Sequence, residues 1–311
     1  MTNGLNNLSA FVAELLRYME RSNLKIWIDA ARPKTLWASV APVVIGSAMA
    51  FESGGLHIMS ALSALLGAVL IQIGTTFAND YFDYYTGADS TDRLGPTRVV
   101  QAGLLQPTTM KAAFIAVFAL AVVPGAYLIW RAGMPLFVIG VLSILCGILY
   151  TAGPYPLGYV GLGELFVIIF FGPVAVGGTY YVQTLQISVP VIVSGLAPGL
   201  FSVAILTVNN LRDVKSDHRA GKKTLAVRFG ITFSKVEYLL SIAIACLIPL
   251  ILVLNYDKHL YSLLASVVLL AAIPSIKTVF TSDGIILNRV LESTGKMLLL
   301  YSLIFSIGWI L

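Results

Sequence analysis

Two short stretches hold most of the chemistry that this chain can offer. The first is Asn79-Asp80-Tyr81-Phe82-Asp83, followed by Asp89, Asp92, Arg93 and Arg98. The second is Asn209-Asn210-Leu211-Arg212-Asp213, followed by Lys215, Asp217, Lys222 and Lys223. On a helix, residues three or four apart share a face. Asn79 with Asp83, Asp80 with Asp83, Asn209 with Asp213, and Asp213 with Asp217 therefore each aim hard oxygens in one direction. Two such clusters facing each other need a cation between them, because carboxylates at close range cannot all stay ionised. Mg2+ suits this role, since it takes oxygen ligands and shares its shell with water and substrate phosphates. The interleaved Arg32, Lys34, Arg93, Arg98, Arg212, Lys222, Lys223 and Arg228 can neutralise phosphate charge that the metal does not. Any one of these cations could belong to a plain surface loop. The acids, repeated at two distant places with matching spacing, are harder to explain that way.

The elements that must hold these residues are apolar helices. The chain of 311 residues is 58% hydrophobic and 11% charged, whereas a soluble domain carries roughly 25% charged residues. No charge occurs from Ile58 to Ala78 or from Leu165 to Leu211, and about 20 apolar residues suffice to cross the hydrocarbon core. The pattern predicts an all-α integral membrane protein with about nine transmembrane helices. The spans fall near 36–52, 58–79, 111–130, 134–151, 164–182, 189–211, 236–254, 260–277 and 294–311. Both acidic stretches then begin where a span ends. They also form a weak internal repeat, each running from Asn through acids and basic residues to a Gly and a Lys before the next span.

Eighteen of the twenty Lys and Arg residues fall in loops on one side, against Arg131 and Lys258 on the other. By the positive-inside rule the N-terminus and both acidic stretches are cytoplasmic and the C-terminus is outside. The protein is thus expected to be multi-pass in the cell (inner or plasma) membrane. The net charge of +5 reflects this topology and does not call for nucleic acid. Residues 1–23 read as an amphipathic interfacial segment, with Leu8, Phe11, Val12, Leu15, Leu16 and Met19 at helical spacing. Residues 24–311 form one transmembrane domain. Cys146 and Cys246 are lone packing residues within apolar runs, and His218 is a solvated loop histidine.

A metal–diphosphate site beside an apolar cavity open to lipid suits a polyprenyl diphosphate. A metal stabilises the leaving diphosphate, and the faces of Tyr and Phe rings can stabilise an allylic cation. Tyr81, Phe82, Tyr84 and Tyr85 lie in the first stretch, and Tyr150, Tyr155, Tyr159, Tyr180 and Tyr181 near other span ends. Aromatics at a membrane interface are more often belt anchors, so none is singled out.

The acids resemble the Asn-x-x-x-Asp-x-x-x-Asp and Asp-x-x-x-Asp motifs of the UbiA superfamily of intramembrane prenyltransferases. Asn79, Asp80 and Asp83 match the first motif, and Asp213 with Asp217 the second. Asp89 follows Asp83 by six positions rather than four, a spacing typical of the branch that prenylates 1,4-dihydroxy-2-naphthoate. The segments Arg32-Pro33-Lys34-Thr35-Leu36, Asp92 to Arg98, Tyr150 to Glu164 and Gly221 to Gly230 resemble that branch as well. A Tyr-x-x-x-Lys element common in the superfamily is missing, because Leu157 or Gly158 stands where the Lys would be.

The resemblance implies nine helices around a central cavity, and Mg2+-dependent transfer of a polyprenyl group from polyprenyl diphosphate to 1,4-dihydroxy-2-naphthoate with decarboxylation, giving demethylmenaquinone in menaquinone biosynthesis. It implies Asp80, Asp83, Asp89, Asp213 and Asp217 as metal ligands, with Asp83 and Asp217 essential to catalysis. Asn79, Lys34, Arg98, Asn209, Arg212 and Lys222 would contact the diphosphate. Two other readings compete. One is a prenyltransferase acting on 4-hydroxybenzoate or homogentisate, which the loop motifs match less well. The other is a secondary transporter, whose acids should lie near the bilayer midplane rather than at span ends.

Overall fold

The computed structural model describes residues 23–87, 94–256 and 258–311. The amphipathic segment, along with Asp89, Asp92 and Arg93, falls outside the described residues. Among the described residues every regular element is helical. In chain order these are α1 (Asn23–Ala31), α2 (Trp37–Glu52), α3 (Ile58–Thr86), α4 (Pro107–Ala132), α5 (Met134–Leu149), α6 (Gly163–Phe170), α7 (Pro173–Thr184), α8 (Val189–Arg219), α9 (Leu225–Tyr256), α10 (Val268–Thr281) and α11 (Leu287–Ile310). Short 3-10 turns at Pro33–Thr35, Leu260–Val267 and Gly284–Ile286 join some of them.

Seven helical stretches among the described residues are long and apolar enough to cross a membrane: Ile58–Thr86, Pro107–Ala132, Gly163–Thr184, Val189–Arg219, Leu225–Tyr256, Leu260–Thr281 and Gly284–Ile310. An eighth arises if Asn23–Thr35 and Trp37–Glu52, bent by 52°, form one span. Met134–Leu149 lies where a further span is expected, but it has only 16 residues. At 1.5 Å per residue it reaches about 24 Å, short of the roughly 30 Å hydrocarbon core. Large apolar side chains such as Leu62, Val123, Trp130, Phe137, Leu247 and Leu270 face outward, as a lipid-facing surface requires.

The helices that carry the acids run on past the apolar segments. α3 continues to Thr86 and α8 to Arg219, so both motifs lie on ordered final turns rather than on loops. Gly87 ends α3 in a left-handed conformation (φ 68°), with its N–H bonded to the Asp83 and Tyr84 carbonyls, a common helix stop. α8 is the central element: 67% of its apolar stretch is buried in protein, against 22% for α3. Its Phe201, Ala204, Val208 and Leu211 pack with Tyr238, Ile242, Tyr301 and Phe305. Close approach by the broken span α6–α7 depends on glycine. A Cβ on Gly199 would meet the Ile168 carbonyl at 2.6 Å, and one on Gly172 would meet the Gly195 carbonyl at 2.7 Å. Small residues that let backbones meet are the usual device of helix packing in lipid.

Candidate active site

A cavity of about 220 Å3 opens between the final turns of α3 and α8. Asn79 and Asp83 line it from α3, and Asn209, Asn210, Asp213 and Asp217 from α8. The two stretches thus converge from positions about 130 residues apart. Lys222 provides the direct measure, since its Nζ lies 3.6 Å from Asp83 Oδ1 and 3.8 Å from Asp217 Oδ1.

Three loops complete the walls. Asp80 Oδ2 accepts the Val99 N–H at 3.2 Å, and Val99 and Val100 pack into the cluster around Phe77, Met110 and Phe114. That anchorage brings Arg98 Nη2 to 2.8 Å from Asp83 Oδ2, in a pair whose side chains are 7% and 2% exposed. The middle loop after α5 contributes Tyr150, Thr151 and Tyr159. The Tyr159 hydroxyl donates to Asp83 Oδ1, and Thr151 Oγ1 donates to Asn79 Oδ1 at 2.9 Å. The loop after α8 is stitched to the middle loop by Lys223 N–H to the Tyr159 carbonyl (2.7 Å) and by Arg228 Nη2 to the Val160 carbonyl (2.8 Å). This seats the Lys222 ammonium 4.5 Å from the centre of the Tyr159 ring, where a cation–π contact adds to its two carboxylates.

Below this polar chamber lies an apolar one of about 470 Å3 between α3, α4, α5, α6 and α7. The chambers share Gln72, Thr76, Asn79, Tyr150, Val167 and Phe171, so they form one continuous space with charge at one end. Tyr150 stands at the junction. Burial pushes its phenol well above the ordinary range, and the charges of Glu164, Asp83 and Asp217 push the same way, so it is a neutral hydroxyl at physiological pH.

Not every expected residue faces the cavity. Asp80 does not line it; its carboxylate turns to the backbone of the loop carrying Arg98. Lys34 is exposed and pairs with Glu292 at 2.6 Å, while its neighbour Arg32 lines the chamber from a left-handed backbone (φ 52°). Arg212 is fully buried, with its guanidinium clamped on both Asp213 oxygens (2.8 and 2.5 Å), Asn209 Oδ1 and Asn288 Oδ1. Tyr150, Tyr159 and Asn210 are cavity residues to which the sequence assigned no role. Only their membership of the motif-bearing loops hinted at one.

Among the described residues no group of three or more carboxylate, imidazole or thiol side chains is gathered tightly enough to hold a metal by itself. Mg2+ is commonly held by one or two carboxylates together with substrate phosphates. The donors here are hard oxygens from Asp83, Asp213, Asp217 and the nearby amides, which fits that ion and that sharing.

The UbiA prenyltransferase family model matches residues 39–284. The chain is 35% identical over 300 residues to a 1,4-dihydroxy-2-naphthoate octaprenyltransferase of Haemophilus influenzae, covering 93% of this chain and 97% of the relative. It is 37% identical over 277 residues to the Mycobacterium tuberculosis protein of that name, covering 89% and 94%. The fold matches a UbiA homolog from Archaeoglobus fulgidus solved with GPP and Mg2+, with a TM-score of 0.65 at 16% identity over 92% of this chain and 99% of that one. With the family's paired acidic helix ends meeting over one cavity, the chain belongs to the UbiA prenyltransferase family.

Proposed function

We propose that this protein transfers a polyprenyl group from polyprenyl diphosphate to 1,4-dihydroxy-2-naphthoate with loss of the carboxylate, in menaquinone biosynthesis. The observation that carries the reading is the meeting of Asp83 and Asp217 on Lys222 at the charged end of a long apolar cavity. The names of the Haemophilus and Mycobacterium relatives support the acceptor.

In this reading the diphosphate lies among Lys222, Arg98, Arg32 and the Asn79 and Asn209 amides, and the prenyl chain extends past Tyr150 into the apolar chamber. Asp83, Asp213 and Asp217, with Asp89 following α3, hold Mg2+, which when bound neutralises the diphosphate oxygens and makes them a better leaving group. Lys222 and Arg98 are paired with carboxylates, and would turn to phosphate oxygens if those acids held the metal. The allylic C–O bond breaks with its electron pair leaving on the diphosphate. The Tyr150 ring lines both chambers and is available to stabilise the allylic positive charge. The electron-rich naphthoate ring then bonds to the allylic carbon, and loss of CO2 restores its aromaticity. The excess of Lys and Arg in the loops on the side of both acidic stretches supports a site on the cytoplasmic side of the cell membrane.

The test supplies membranes containing the protein with a labelled polyprenyl diphosphate and, separately, 1,4-dihydroxy-2-naphthoate, 4-hydroxybenzoate and homogentisate. Labelled product is expected from the naphthoate, dependent on Mg2+ and formed in detergent without any gradient. Product from hydroxybenzoate alone would overturn the acceptor assignment.

A further inference from the structure

Asn209 and Asn210 are adjacent cavity residues, and each already has one amide atom bonded to a charged group. The two charges are opposite in sign. A guanidinium can only donate hydrogen bonds, and a carboxylate can only accept them. Arg212 Nη2 lies 2.7 Å from Asn209 Oδ1, which leaves Asn209 with its NH2 group to offer. Glu164 Oε1 lies 3.0 Å from Asn210 Nδ2, which leaves Asn210 with its carbonyl oxygen. These assignments follow from the partners' chemistry, so they do not depend on telling nitrogen from oxygen in an amide.

We propose that Glu164 and Arg212 are positioning residues that set the two neighbouring amides to opposite polarity: Asn210 presents a carbonyl oxygen to the divalent cation, and Asn209 presents amide hydrogens to the diphosphate. The inference rests on the metal–diphosphate reading of the cavity and adds Asn210 as a cation ligand. On α8, Asn210 precedes Asp213 by three residues and Asp217 by seven, so the three share a face. Glu164 sits in the first turn of α6, is 8% exposed, and is not among the cavity-lining residues. Its hydrogen-bonded link to the cavity is through Asn210. Without it the Asn210 amide is free to rotate and turn its hydrogens toward the cation. Loss of such a supporting partner typically costs about 10–100-fold in metal affinity.

The test uses the full chain in lipid nanodiscs, titrated with Mn2+ and read by the electron paramagnetic resonance of the free ion; inorganic pyrophosphate binding is measured by calorimetry. Glu164→Leu should weaken Mn2+ binding about tenfold. Glu164→Gln, whose carbonyl still accepts from Asn210, should stay within about twofold. The double variant Glu164→Gln with Asn210→Asp puts a carboxylate on the cation side and should tighten Mn2+ binding about tenfold, a gain that misfolding cannot produce. Asn209→Leu should keep Mn2+ affinity and lose pyrophosphate affinity.

Wild-type Mn2+ affinity in Glu164→Leu would overturn the inference. So would the absence of any gain in the double variant, should Glu164→Leu fail to fold. Loss of Mn2+ rather than pyrophosphate affinity in Asn209→Leu would overturn the assigned polarity. A wild-type protein that binds neither probe would overturn the metal–diphosphate reading itself, and this one with it.

Discussion

Asp83 receives Arg98, Tyr159 and Lys222. Removing its charge leaves two cations facing one another without a common anion. We expect Asp83→Asn and Asp217→Asn each to reduce turnover by about 10²-fold or more, measured with labelled prenyl diphosphate. Asp283→Asn, whose parent carboxylate is 72% exposed, should match wild type. Asp80 has a different task, because its carboxylate holds the Val99 N–H. Asp80→Ala should cost about 1–3 kcal/mol of stability, read as a fall in Tm, with the Mg2+ concentration for half-maximal activity unchanged. A shift in that concentration would return Asp80 to the metal. The sequence could not separate these roles. Helical spacing puts Asp80 and Asp83 on one face, but it says nothing of the loop that reaches back from Val99 to claim one of them.

At the scale of elements, the acids work because α3 and α8 stay helical through them. His218 and Arg219 in the last turn of α8 suit the negative end of the helix dipole, and Gly87 stops α3 one turn after Asp83. The spans are legible in the apolar runs, which end near 79 and 211, whereas the helices continue to Thr86 and Arg219, because hydropathy marks where lipid ends rather than where the helix does. The break at Phe171–Gly172 falls at Gly172-Pro173, where the proline cannot continue the preceding helix. What the sequence does not show is that Gly195 and Gly199 of α8 come close to it there. Gly199→Leu forces side-chain atoms into the Ile168 carbonyl and should cost about 1–3 kcal/mol or more. Thermal unfolding in detergent checks this, with the expectation of a clear fall in Tm.

Across the whole molecule, the polar and apolar chambers adjoin, so on the proposed function the apolar chamber would limit the length of the prenyl chain. Gly125 lines it, and a Cβ added there would meet nothing within 4 Å. Gly125→Phe should therefore fold, yet fill part of the 470 Å3. We expect it to lower kcat/KM for long polyprenyl diphosphates at least tenfold while sparing geranyl diphosphate, as competition assays between chain lengths would reveal. Equal loss for both lengths would place the chain elsewhere.

By itself the sequence determined the all-helical membrane class, the family and the two acidic stretches. Apolar run length and residue spacing along a helix are local properties, legible wherever they occur. Only the tertiary structure decided that the stretches meet, that Lys222 and Arg98 reach the same carboxylate while Lys34 and Arg212 do not reach the cavity, and that Asn209 and Asn210 are held with opposite polarity. Most of those facts rest on contacts between residues far apart in the chain. Such contacts are fixed by how the helices pack and where the loops return, which spacing along the chain does not encode.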